Sequence, residues 1–386
     1  MPSFTLTDAA NDTWIETFHL ASDDDGGPPW SISKTRLRGG RREGVDLIRV
    51  DNGALSFSVI PSRGMNLWKG QAGKIALGWN SPVNDGPVNP AFVDANAWGN
   101  LGWLDGFDEL LARCGLDSFG PPYEEAGRTY PLHGRISNLP AHVVKVHIDD
   151  AFPHAITIEG HVNETRMFLT SLRMVSKITT VPGSNTITVR DEFTNLRDVP
   201  SELQVLYHWN FGPPLMEVGG GFCAPFKTLV PRDRAATEGL ASYDVYGPPV
   251  PGSAEQAFYF ELLGDGPKGN TVALLHNRNK NAGIALRFST QQLPAFILWK
   301  AQGGMNDGYV TGLEPSTGYP NPKPFERSRK RVMSLAPGQS YVTETTLEVL
   351  QSAKAVSDVI AEIQSLQTQA VPVIYPKPVE PFTSEG

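Results

Sequence analysis

Apolar and polar residues alternate along much of this chain. Leu55, Phe57 and Val59 alternate with Ser56 and Ser58, and Val144, Val146 and Ile148 with Lys145 and His147. The same period of two runs through Ile156–Ile158, Leu172–Ile178 and Ile187–Val189. Side chains on a strand point to opposite faces in turn, so each run predicts a half-buried antiparallel strand. Turn sequences such as Asp51-Asn52-Gly53 and Pro182-Gly183-Ser184-Asn185 separate them. The succession predicts an all-β protein, a β-supersandwich of large antiparallel sheets. Helical spacing is rare. Leu104, Phe107, Leu110 and Leu111 suggest a short helix over 103–114, and Val356, Ile360, Ile363 and Leu366 a C-terminal amphipathic helix over 352–368. Three segments are expected: an N-terminal extension over 1–40 packing on the sandwich, the sandwich over 41–350, and a helix with a proline-rich tail over 351–386.

Glycine and proline, 38 and 32 of 386 residues, fit a turn-rich β protein. A net charge of -8 speaks against nucleic acid or an anionic membrane as partner, and the Arg327–Arg331 cluster reads as a solvated face. The first twenty residues lack an apolar signal core and no run is long enough to cross a membrane, so a cytoplasmic protein is expected. Cys114 and Cys223 are expected as reduced thiols.

Chemistry is suggested at three places. Glu314 ends the run Tyr309–Glu314, held extended by Pro315 and sharing a face with Val310 and Gly312. The glycine leaves room there for a ligand; the plainer alternative is an ion pair with Arg327 or Arg329. His208 shares a strand face with Gln204 and Asn210, and its ordinary pKa near 6.5 lets it move a proton at neutral pH. His133 lies at a turn before Gly134. Arg63 ends a strand, where a guanidinium can fork to two hydroxyls or a carboxylate. Trp103, Trp209 and Trp299 sit near these segments, as platforms for sugar rings or as core. No metal, nucleotide or nucleophile-elbow spacing occurs, so no metal and no cofactor are expected.

Taken in order, these segments resemble the galactose mutarotase-like superfamily, and within it the aldose 1-epimerase-related DUF4432 family. Leu132-His133-Gly134 resembles its first histidine motif, Tyr207-His208-Trp209-Asn210-Phe211 its second, and Leu313-Glu314-Pro315 its glutamate motif. Ile60–Met65 and Arg113–Leu116 look like signatures of the branch. The arginine that precedes the first histidine in mutarotases has only Arg113 and Arg128 as counterparts, and the substrate aspartate only the region of Asn277 and Arg278.

The resemblance implies a carbohydrate isomerase of aldose 1-epimerase type. Glu314 would be the general base, His208 the general acid, and His133, Arg63, Asn210, Trp299, Lys300 and Arg135 would bind substrate. The expected partner is a small sugar or sugar derivative, with the protein a monomer or homodimer. Two alternatives stay open: an isomerase, epimerase or lyase acting on an acidic sugar, which Arg63 and Arg135 would suit, and a non-catalytic carbohydrate-binding protein.

Overall fold

A computed structural model describes residues 2–22 and 27–384. Among them two large sheets stand face to face, one of ten strands and one of fourteen, almost wholly antiparallel. The alternating segments form them: Val143–Ile148, Ile156–Thr165, Ser171–Thr180 and Thr186–Asn195 lie side by side in the ten-stranded sheet. Residues of the first forty positions supply strands to both sheets. Ser3–Asp8 pairs with Val143–Ile148, and Ser31–Arg36 pairs with Asp46–Asp51. The main core lies between the sheets, with Ile158, Met174, Val189 and Leu347 facing Phe57, Tyr207, Trp209 and Leu313. A buried polar group crosses this core. Arg113 donates to both carboxylate oxygens of Asp191 and to Ser176, and Tyr207 donates to Asp191 as well.

The predicted helix over 103–114 does not form. A 3-10 turn, Gly102–Gly106, is followed by the strand Leu111–Leu116, which pairs with Ser201–Phe211. Every residue of Leu111–Leu116 is buried, so its apolar run satisfies both faces of a strand as readily as one face of a helix. The C-terminal helix is found at Ala353–Gln367, capped by Ser352, with Val356, Val359, Ile363 and Leu366 buried. Beyond it the proline-rich tail crosses the fourteen-stranded sheet. Val373–Ile374 adds a short parallel strand to Phe226–Pro231, and Phe382 enters an apolar cluster. Residues 385 and 386 of that tail lie outside the described range.

That second cluster determines where a site can form. It holds Trp79, Trp103, Phe107, Leu206, Tyr259, Ile297, Tyr319 and Phe382, and it covers the outer face of the central strands Ser201–Phe211, Ala295–Gln302 and Tyr309–Ser316. These strands are therefore buried on both faces, and polar groups on the outer face are shielded from bulk water.

Candidate active site

Strand register brings the central pair together. Trp209 pairs with Leu313 and Asn210 with Gly312, which sets His208 against Glu314 across the two strands. His208 Nε2 lies 3.1 Å from Glu314 Oε1, with each residue 3% exposed. The contact is not an aligned hydrogen bond, and Glu314 Oε1 has no hydrogen-bond partner. Gly312 makes the approach feasible: a Cβ there would stand 2.4 Å from Glu314 Oε1 and 3.0 Å from His208 Cε1. The space the glycine leaves is thus taken by the protein's own acid and imidazole. Arg327 and Arg329 are committed elsewhere, to Glu125, Glu202 and Glu380, and do not pair with Glu314.

Asn210 assigns the imidazole tautomer. Its amide nitrogen donates to the carbonyls of Glu109 and His208, so its oxygen is left to accept from His208 Nδ1 at 2.6 Å. Neutral His208 then turns the Nε2 lone pair toward Glu314. Burial acts on both partners in opposite senses. It raises the Glu314 carboxyl well above its usual range, with Glu255 adding and Arg232 opposing. It lowers the His208 imidazole well below its ordinary value, with the neighbouring His133 adding. The acid and the base are thereby pushed toward a state in which one proton is held between them.

His133 completes the group. Its backbone is in the left-handed region, φ 56°, an uncommon conformation for a non-glycine residue. Its Nδ1 donates to the Phe119 carbonyl at 3.0 Å, and its ring meets that of His208 edge-on at 5.6 Å between centroids. Burial lowers its pKa to about 4, so Nε2 is an unprotonated acceptor at neutral pH. A cavity of about 490 Å³ opens onto the three groups, within the roughly 300–1,000 Å³ range of small-molecule sites. Trp103, Phe107 and Trp299 form aromatic walls, and Thr383 and Ser384 bring the C-terminal tail to its rim.

Sequence reading had not singled out a charged cluster at the opposite side. Arg232 donates to Asp233 and to Glu255 Oε1, while Trp299 Nε1 donates to Glu255 Oε2. Burial opposes the guanidinium charge, yet Glu255, Tyr259 and Asp233 hold its pKa above the ordinary value. Strand order is the reason these residues escape a linear reading. Gln256–Leu262 pairs with Ala295–Gln302, which pairs with Tyr309–Ser316, so residues sixty to eighty positions apart share one floor.

The expected substrate-binding residues divide. His133 and Trp299 line the cavity, and Asn210 lies behind His208 and orients it. Three others must be corrected, since none lines the cavity. Arg63 is 1% exposed and donates to Glu109, Asn138 and the carbonyls of Val88 and Gly106, bracing the loops beneath the site. Lys300 faces the other side of its strand, where its ammonium caps the carbonyls of Ser242, Tyr243 and Val245, and burial lowers its pKa to about 8. Arg135 projects into a separate cleft behind the His133 loop. Of the three tryptophans, Trp103 and Trp299 line the cavity and Trp209 is core. Arg113, placed in the region of the mutarotase arginine, faces the interior between the sheets. Cys114 is buried and Cys223 half-buried, both unpaired. Among the described residues no cluster of three or more His, Cys, Asp or Glu side chains could hold a metal, and no helix is long and apolar enough to cross a membrane.

Comparison with known proteins agrees with the fold and with the family resemblance. The model of DUF4432, a domain of unknown function, matches residues 42–349. The chain belongs to the DUF4432 family. A solved structure from Klebsiella pneumoniae, provisionally named an aldose 1-epimerase, is 34% identical over 98% of this chain and 99% of that one, with a TM-score of 0.95. A galactose mutarotase-like protein from Clostridium acetobutylicum is 16% identical over 83% of this chain and 98% of its own, at a TM-score of 0.56. An Escherichia coli K12 protein, also provisionally named an aldose 1-epimerase, is 13% identical over 80% of this chain and 100% of its own, at 0.51. The last two establish the galactose mutarotase-like fold alone. No curated protein matches the sequence. This DUF4432 member therefore joins a mutarotase-like sandwich to a buried glutamate–histidine pair.

Proposed function

We propose that this protein is an aldose 1-epimerase-type isomerase that interconverts the anomers of a neutral free sugar. The observation that carries the reading is the buried Glu314–His208 pair, 3.1 Å apart at the floor of an aromatic-walled cavity. Ring opening needs one proton removed from the anomeric hydroxyl and one given to the ring oxygen. A pair that holds a single proton meets this need. With the proton on His208 Nε2, Glu314 is the carboxylate base and His208 the acid; on ring closure the roles reverse. Raising the carboxyl and lowering the imidazole inverts their ordinary order, so in the free protein the proton rests on Glu314, and the reactive arrangement with it on His208 Nε2 forms once a sugar hydroxyl donates to the carboxylate. Asn210 keeps Nδ1 protonated and so directs the reactive proton to Nε2. His133 Nε2 can accept a sugar hydroxyl.

Two buried polar atoms at the cavity lack partners, Trp103 Nε1 and Glu314 Oε1. Hydroxyls of a bound sugar would supply one acceptor and one donor, and the faces of Trp103 and Trp299 suit the apolar face of a pyranose. A neutral substrate follows from the charge count. Arg232 is the only cationic side chain among the residues lining the cavity, and two carboxylates already engage it. Arg63 and Arg135, on which an acidic sugar would depend, lie outside.

Proton exchange spectroscopy on a panel of neutral and acidic sugars tests this. Wild-type protein should accelerate α/β interconversion of at least one neutral aldose. Glu314→Gln should lower that rate by roughly 10²–10⁴-fold, the usual contribution of one acid–base group. Full turnover in the variant, or acceleration confined to uronates, would overturn the reading.

A further inference from the structure

Behind the His133 loop lies a second cleft of about 480 Å³ that shares no lining residue with the first. Leu132 and His133 face the candidate active site, whereas Gly134 and Arg135 face this cleft. Three arginines line it: Arg128 from the ribbon Arg128–Tyr130, Arg135 from the loop, and Arg166 from the end of the hairpin strand Ile156–Thr165. Among the described residues none of the three is ion-paired. The side chain of Arg135 makes one long hydrogen bond, 3.4 Å to Asn96. Among the described residues other arginines, such as Arg42, Arg49 and Arg173, also lack an ion pair, but they are not gathered in one cleft.

The acids in the cleft do not neutralise these charges. Asp117 is taken by Lys323 at 2.9 Å. Glu164, 6% exposed, accepts from the Leu116 amide, and burial raises its carboxyl to about 7 against the opposing pull of that amide, Arg135 and Arg166, so it is only partly charged at neutral pH. Arg135 also feels its surroundings: burial and then the Arg166 charge lower its guanidinium below the ordinary value. Burying Arg135 beside Arg166 costs repulsion and desolvation that Glu164, Asp94 and Asp117 offset only in part, since its guanidinium still lies below the ordinary value. An anion would offset the rest. Each guanidinium presents a fork of N–H donors, and three forks suit an anion with more than two acceptor oxygens better than a carboxylate.

We propose that the Arg128–Arg135–Arg166 cleft binds a phosphate group, either as orthophosphate or as a phosphate monoester with its sugar in the remaining volume. The site would back directly onto the loop that carries His133.

Titration calorimetry at low ionic strength tests it on the full-length protein, with inorganic phosphate, a hexose 6-phosphate and the unphosphorylated hexose as probes. Saturable binding of phosphate or of the monoester is expected, weakened at least tenfold in Arg135→Gln/Arg166→Gln. A second variant, Arg128→Gln/Arg166→Gln, changes two exposed side chains and guards against misfolding in the first. Binding of orthophosphate assigns the free anion, and binding of the monoester alone assigns the phosphorylated sugar. No binding of either to wild-type protein, or binding undiminished in both folded variants, would overturn the proposal. The measurement reads binding only and stands apart from any sugar turnover.

Discussion

At the scale of single residues, the site is a set of groups held away from their ordinary protonation. His133 gives the cleanest consequence: burial lowers it to about 4 against an ordinary value of 6.5. Below pH 6.5 the unfolded chain takes up a proton that the folded chain refuses, so folding stability falls as pH drops. The loss continues to about pH 4 and then stops, reaching about 3 kcal/mol. Asparagine tolerates the left-handed backbone of this position. His133→Asn should therefore remove this loss, and denaturant titrations of both proteins from pH 7 to pH 4 would show wild type declining relative to the variant. Parallel curves would mean that His133 takes up its proton in the folded protein at the same pH as in the unfolded chain. The strand faces of Glu314 and His208 and the turn at His133 were legible in the sequence, because proline, glycine and strand alternation constrain their immediate neighbours. Arg63 and Lys300 were misplaced for a related reason. The strand end before Arg63 is visible and Lys300 came with the resemblance, but the partner a long side chain reaches is not visible: Glu109 lies 46 positions from Arg63, and the carbonyls at Lys300 lie 55 to 58 away.

At the scale of elements, the strands that carry the site are also the ones that hold the sheets together. On Leu111–Leu116, Arg113 points inward to Asp191 and Ser176 of the other sheet, with Tyr207 joining from Ser201–Phe211. The Arg113 side chain is 1% exposed and that of Asp191 0%. Arg113→Met would strand a buried carboxylate and should cost about 3–5 kcal/mol in chemical denaturation. Arg113→Met/Asp191→Leu should recover much of that loss, since an apolar pair of similar volume is often no worse than the ion pair. If the double variant is no more stable than the single one, the network contributes more than charge compensation. The misread segment 103–114 belongs to this scale. Four apolar residues at helical spacing also satisfy a strand buried on both faces, and only the pairing of Leu111–Leu116 with Ser201–Phe211 decides between them.

At the scale of the whole molecule, the C-terminal tail closes one side of the cavity. Thr383 donates to the Arg232 carbonyl, Ser384 to Asn321, and Asn321 in turn to the Phe382 carbonyl. Deleting residues 375–386 removes these bonds and the burial of Phe382, worth about 1.5–3 kcal/mol by itself. Stability should fall by at least that amount. On a sugar substrate, KM should rise roughly threefold to tenfold, the equivalent of one lost hydrogen bond of about 0.5–1.5 kcal/mol, with kcat nearly unchanged. An unchanged KM in the folded truncated protein would remove the tail from the binding surface.

The order of hydrophobic and polar residues was enough to determine an all-β sandwich, the C-terminal helix at Ala353–Gln367, and the strand faces carrying His208 and Glu314. Those are local properties, set by backbone periodicity and by proline and glycine. Tertiary structure alone decided that His208 meets Glu314, that Arg232 and Glu255 share their cavity, and that Arg135 turns to the cleft behind. Each depends on which strands become neighbours and on what a long side chain finds there. Both are settled when the sheets close over one another, between residues far apart in the chain.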